Sequence, residues 1–333
     1  MNMKRDFFKI LLGLVILNCS VLHAQDFGGP GDHPMGPPPG GMPKGFKPPS
    51  TDVSYIKNKH LNISYAKLSP AQKLDVYLPE GATDKVPVIV SVHGGAFMFG
   101  DKRDGQVKPM LEGVKRGYAV VSVNYRMSGE AKFPANINDV KAAIRWIRAN
   151  AEKYHFDPDK IAIWGGSAGG NLSSLAGTSG DVKELEDLSL GNAAYSSRVQ
   201  AVVDWFGPTN FLKMDEQFRE TGNGTPNHSD ADSPESKVLG KKISEIPDIV
   251  KAANPETYIT PDGPPFFIEH GTKDGTVPTQ QSKEFYAKLV NVLGQEKVSI
   301  KLLEGAKHGG PQFEEPANID LVFKFLDKQL LHK

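Results

Sequence analysis

Three residue types in one order along the chain, a glycine-flanked serine, a strand-end aspartate and a loop histidine, could together perform acyl transfer. Gly165-Gly166-Ser167-Ala168-Gly169 fits G-x-S-x-G. In a chain with 34 glycines the pattern alone is weak, so its setting decides. The apolar run IAIW ends just before Gly165, and an amphipathic stretch with Leu172 and Leu175 begins at Ala168. Glycines would permit a tight strand-to-helix turn that lifts the serine Oγ clear of the backbone. The helix N-terminus behind it would favour developing negative charge.

A serine hydroxyl is a poor nucleophile until a base takes its proton. Of the nine histidines, His93 and His155 precede Ser167, against the serine, acid, histidine order of such a turn. His23, His33, His60 and His332 lie towards the chain ends, and His228 lies in a polar stretch. His270 ends the run FFIEH and reads as packed beside a turn, whereas His308 in EGAKHGG follows the strand-like VSIKLL. A loop there can carry an imidazole to the serine, so His308 is the expected base. The orienting acid should fall between the two at a strand end. Asp274 in EHGTKDGTVP meets both conditions, with Asp204 and Asp262 as rivals. A carboxylate in this role fixes the imidazole tautomer and stabilises the imidazolium. The tetrahedral oxyanion needs backbone N–H donors. His93-Gly94-Gly95-Ala96-Phe97 follows the buried run VPVIVSV, so Gly94 and Gly95 are expected to supply them with Ala168.

The elements that must hold these groups follow an alternating pattern. LNISYA and KLDVYL read as early strands, and VPVIVSV and AVVSVNY as buried parallel strands, with VKPMLEGVKRG as the crossover helix between them. NINDVKAAIRWIRANAEKY places Ile137, Val140, Ala143, Ile144 and Ile147 on one helical face. VQAVVDWF, PPFFIEH and VSIKLL supply later strands, with helices near Gln280–Leu293 and Ile319–Leu330. The expected fold class is α/β, a mostly parallel sheet covered by helices on both faces. Residues 208–258 break the rhythm with Gly222, Gly224, Pro226 and Pro234, and read as a small inserted cap within a catalytic domain over 51–333.

Residues 1–24 read as a signal peptide. Lys4, Arg5 and Lys9 precede an apolar stretch from Ile10 to Leu22, and Ala24 offers a cleavage site. Export to the periplasm or beyond is expected, with no stable membrane association after cleavage. Lipidation at Cys19 is the alternative, disfavoured by Asn18 where such sites carry a small residue. Residues 25–50, dense in Gly and Pro, read as a flexible tether. Cys19 is the only cysteine, so the mature chain would have neither disulfides nor a cysteine nucleophile. The formal net charge is zero, which gives no electrostatic footprint for nucleic acid.

HGGAF, VNYR, DVKAAIRWI, GGSAGG, DWFGPTN, SPES, HGTKDGTVP and GAKHGG together resemble the esterase branch of the α/β-hydrolases. That branch contains bacterial acetylxylan and feruloyl esterases and is related to the hormone-sensitive-lipase-like enzymes. The resemblance runs from about Leu61 to the C-terminus. It implies an eight-stranded, mainly parallel sheet, the triad Ser167, Asp274 and His308, and an oxyanion hole from Gly94, Gly95 and Ala168. It implies a small ester or acylated polysaccharide as substrate and no cofactor. Gly166 stands where the lipase-like branch often has Asp, and HGGAF lacks a third glycine; both favour the carbohydrate-esterase side. Asn210 stands where relatives often carry Asp. Rival readings are a lipase or general carboxylesterase, a prolyl-oligopeptidase-like peptidase without its propeller, and a non-catalytic binding protein on the same fold.

Overall fold

The computed structural model describes residues 49–331. The signal peptide read over 1–24, Cys19 included, and the tether up to residue 48 lie outside that range. The strands are β1 (Lys59–Ser64), β2 (Lys73–Tyr77), β3 (Val86–Val92), β4 (Ala119–Val123), β5 (Phe156–Gly166), β6 (Ala201–Trp205), β7 (Phe266–Gly271) and β8 (Val298–Leu303). They form one sheet in the order β1-β2-β4-β3-β5-β6-β7-β8. β2 alone runs against the others, pairing antiparallel with both β1 and β4. The remaining pairings are parallel. Buried β-branched runs such as Val86–Val92 suit a sheet whose two faces are both covered.

The helices are α1 (Lys108–Lys115), α2 (Ala135–Ala149), α3 (Ala151–Tyr154), α4 (Ala168–Thr178), α5 (Met214–Thr221), α6 (Pro234–Leu239), α7 (Pro247–Ala253), α8 (Thr279–Leu293), α9 (Pro311–Glu314) and α10 (Pro316–Leu326). Alternation along each strand sends side chains into two cores. Val88, Val90, Val121 and Ile163 pack with Ile144 and Ile147 of α2, Leu172 and Leu175 of α4, and Phe285 and Leu289 of α8. Ile89, Val120 and Trp164 pack on the other face with Met110 and Leu111 of α1 and Val322 and Phe323 of α10. This is the α/β-hydrolase architecture expected from the sequence.

Two registers place the chemistry. β3 sits between β4 and β5, so chain order reverses around it. The carboxyl ends of β3 and β5 flank such a switch point, where ligands characteristically bind. Val92 pairs with Gly165 there, setting the loop after β3 beside the turn after β5. At the sheet edge Gly271 pairs with Leu303, which brings the loops after β7 and β8 together. The segment between β6 and β7, read as a cap, holds α5, α6 and α7 joined by short 3-10 turns.

Candidate active site

Ser167 sits between β5 and α4 with φ 57° and ψ −124°, a strained conformation for a residue with a Cβ. The flanking glycines explain how the turn closes. A Cβ on Gly165 would lie 2.3 Å from the Gly169 carbonyl oxygen, and one on Gly169 would lie 2.1 Å from the Val92 carbonyl oxygen. The Ser167 N–H donates to the Trp205 carbonyl (2.9 Å), and the Ser167 carbonyl accepts from Asn171 N–H (3.0 Å). Both ends of the turn are thereby fixed by the backbone, and the hydroxyl takes no part in holding it.

The structure brings the three sequence-selected residues together. His308 Nε2 lies 2.9 Å from Ser167 Oγ, and His308 Nδ1 lies 2.7 Å from Asp274 Oδ2. A carboxylate only accepts, so Nδ1 carries the proton and Nε2 offers its lone pair to the serine hydroxyl. That is the tautomer a general base requires. All three side chains are buried (6%, 1% and 6% exposed for Ser167, Asp274 and His308). The Phe206 ring packs 4.7 Å from the His308 ring, centroid to centroid.

The acid and base loops are stitched together. Lys273 N–H donates to the Ala306 carbonyl (2.9 Å), Thr272 N–H to the Leu303 carbonyl (3.0 Å), and Gly305 N–H to Thr272 Oγ1 (2.9 Å). Asp274 Oδ1 accepts from the N–H groups of Thr276 (2.8 Å) and Val277 (2.9 Å), leaving Oδ2 for His308. Burial alone would push this carboxyl up. The adjoining His308 and the hydrogen bonds at its oxygens outweigh burial and hold it well below the usual carboxylate range. Asp274 therefore stays ionised, able to stabilise a charged imidazole.

The rival acids are engaged elsewhere. Asp204 is fully buried, accepting from Ser174 Oγ (2.7 Å) and Gly207 N–H (2.9 Å), and burial pushes its carboxyl up. It ties β6 to α4. Asp262 pairs at the surface with Arg198 (2.6 Å).

The oxyanion donors need one correction. Gly94 N–H, expected to face the reacting carbonyl, donates instead to Gln106 Oε1 at 2.8 Å. A Cβ on Gly94 would lie 2.7 Å from the Gly166 carbonyl oxygen, so this residue serves close approach of the backbones. Among the described residues the N–H groups of Gly95, Ala96 and Ala168 make no hydrogen bond. Ala96 and Phe97 both have positive φ (54° and 58°), so the loop bends sharply after Gly95. No sequence motif points to Gln106, because its contact depends on the path taken after β3. No group of His, Cys, Asp and Glu suited to a metal ion occurs among the described residues. Nor is any helix among them long and apolar enough to cross a membrane.

Glu269, on β7 beside the site, is a second buried carboxyl. Its Oε2 accepts from Asn318 Nδ2 (3.1 Å), while Oε1 has no partner among the described residues. Burial pushes it up to about 7, with Asn318 and Lys301 pulling the other way. The unfolded chain thus loses this proton first. Stability contributed by the protonated form is complete below the ordinary value of 4.5 and is lost as pH rises towards 7. The full linkage is roughly 3 kcal/mol. In Glu269→Gln that loss disappears, so the Tm of the variant minus that of wild type should grow between pH 5 and pH 8, on the order of 5 °C. A difference constant with pH would assign the linkage to another group.

Comparison with known proteins sets this geometry in context. The family model BD-FAE matches residues 74–289. Among curated relatives, the probable carboxylic ester hydrolase LipM of Mycobacterium tuberculosis is 34% identical over 72% of this chain and 54% of its own length. Esterase LipQ of the same organism is 36% identical over 67% of this chain and 50% of its own. The chain thus spans about half the length of these relatives. Among solved structures, a bifunctional GH43-CE protein of Bacteroides eggerthii superposes with TM-score 0.74 at 36% identity, covering 82% of this chain and 35% of that one. A truncated carbohydrate esterase from gut microbiota gives TM-score 0.75 at 32% identity, covering 85% of this chain and all of that one.

Proposed function

The chain belongs to the BD-FAE family of α/β-hydrolases, and we propose that it is a serine esterase acting through an acyl-enzyme. The observation that carries this reading is the unbroken relay from Asp274 through His308 to Ser167 Oγ, beside three uncommitted backbone N–H groups. His308 Nε2 takes the Ser167 proton as Oγ attacks the ester carbonyl. Negative charge develops on the carbonyl oxygen, where the N–H groups of Gly95, Ala96 and Ala168 receive it. Each such donor typically lowers the barrier by about 2.7–4 kcal/mol. His308 then returns the proton to the departing alcohol. A water, deprotonated by the same nitrogen, releases the acid and restores the serine.

The substrate proposed is a short-acyl or feruloyl ester on plant polysaccharide. The similarity to the gut carbohydrate esterase and to the GH43-CE protein supports it, as does the HGGAF loop with Gly166 before the serine. The N-terminal signal pattern supports action outside the cytoplasm. The test is a series of acetyl, butyryl and octanoyl nitrophenyl esters, with acetate and ferulate release from acylated xylan. Fastest cleavage of acetyl esters together with acetate or ferulate release is the expected result. Preference for octanoyl esters would replace the reading with a lipase. Reaction with nitrophenyl esters alone would leave the chemistry and remove the polysaccharide.

A further inference from the structure

We infer that His270 is a positioning residue for the acid of the relay, setting the pH at which the base becomes competent. This rests on the serine-esterase reading and deepens it. His270 is the penultimate residue of β7 and is fully buried, four residues before Asp274. Its Nε2 lies 3.1 Å from Asp274 Oδ2, the same oxygen that binds His308 Nδ1 at 2.7 Å. One carboxylate oxygen thus faces two imidazoles.

The partners of the second imidazole define its protonation pattern. Nε2 also lies 3.0 Å from the Val277 carbonyl, so both of its neighbours are pure acceptors and Nε2 must carry a proton. Nδ1 lies 2.7 Å from Ser282 Oγ. In the neutral ring Nδ1 is a lone pair, so the Ser282 hydroxyl on α8 donates to it. Ser282 therefore anchors the ring at its other nitrogen, holding the Nε2–H at the junction of the Val277 carbonyl and Asp274 Oδ2. The Val277 N–H donates to Asp274 Oδ1, so one turn residue is anchored to both side chains.

The consequence is electrostatic. A donor at Oδ2 draws off part of the charge that would otherwise stabilise protonated His308. It also helps keep Asp274 ionised despite burial, one of the causes of its lowered carboxyl. Weaker stabilisation of the imidazolium leaves the base free at lower pH. A further titratable group that feels His270 is Asp204 on β6, whose own hydrogen bonds go to Ser174 and Gly207. The Phe206 ring packs edge-on at 6.5 Å from His270, and Glu269, its neighbour on β7, points to the opposite face of the sheet.

The test is the pH profile of kcat/KM on nitrophenyl acetate for wild type, His270→Leu, His270→Gln and Ser282→Ala, with Tm measured alongside. The acid limb should move upward by about 0.5–1 pH unit in His270→Leu, within the range one hydrogen bond supplies. His270→Gln, whose amide can place an N–H near the lost Nε2, should return most of the shift. Ser282→Ala, which keeps the imidazole but removes its anchor at Nδ1, should give an intermediate profile. Unmoved acid limbs in Ser282→Ala and in whichever His270 variants fold would overturn the inference and leave His270 a packing residue. Absence of Ser167-dependent hydrolysis in wild type would instead overturn the esterase reading itself.

Discussion

Ser167→Ala should lower kcat on nitrophenyl acetate by about 10⁶-fold while leaving Tm within a few degrees of wild type. Its Oγ is the nucleophile that His308 Nε2 deprotonates, and in the variant Ala168 N–H and the Gly95-Ala96 loop remain to bind the carbonyl without one. The turn survives the change because its anchors, Ser167 N–H to Trp205 and Asn171 N–H to the Ser167 carbonyl, belong to the backbone. A residual rate of about 10³-fold over water is expected from carbonyl binding alone. A fluorophosphonate probe that labels wild type should fail to label the variant. A variant that keeps its rate, or still takes the label, would place the nucleophile elsewhere.

Asp274→Asn should cost about 10⁴-fold in kcat, and for a reason specific to this carboxylate. Its Oδ1 accepts two backbone N–H groups, from Thr276 and Val277. An amide must therefore keep its oxygen there and turn its NH₂ towards His308. Facing a donor, His308 Nδ1 becomes the acceptor and the ring proton moves to Nε2, where it points at Ser167 Oγ. The base is then present, correctly placed and in the wrong tautomer. The same NH₂ meets His270 Nε2–H, so Tm should fall as well. Comparison of kcat with Tm over the same samples separates the two effects. A folded variant with undiminished kcat would show that Asp274 does not orient the base.

Much of this layout was legible because it depends on local pattern. Val86–Val92 reads as a buried strand and forms one over the same residues, since seven successive residues without a charge fit a sheet covered on both faces. The order of Ser167, Asp274 and His308 singled out residues that the fold gathers, because each follows a strand that can be recognised on its own. What escaped depends on contacts between segments far apart in sequence. The HGG motif points to Gly94 as a donor, yet its N–H direction is set by Gln106, twelve residues on. From sequence, His270 reads as packed beside a turn. Only the turn geometry shows that the group it packs against is Asp274 Oδ2. The short helices α5 to α7 were invisible as helices because six to eight residues give too little periodicity to recognise.

The stretch between β6 and β7 supplies no member of the relay and none of the three free N–H groups. Substitutions or insertions there leave the chemistry untouched, so this stretch can vary in length and composition while the loops that carry the relay cannot.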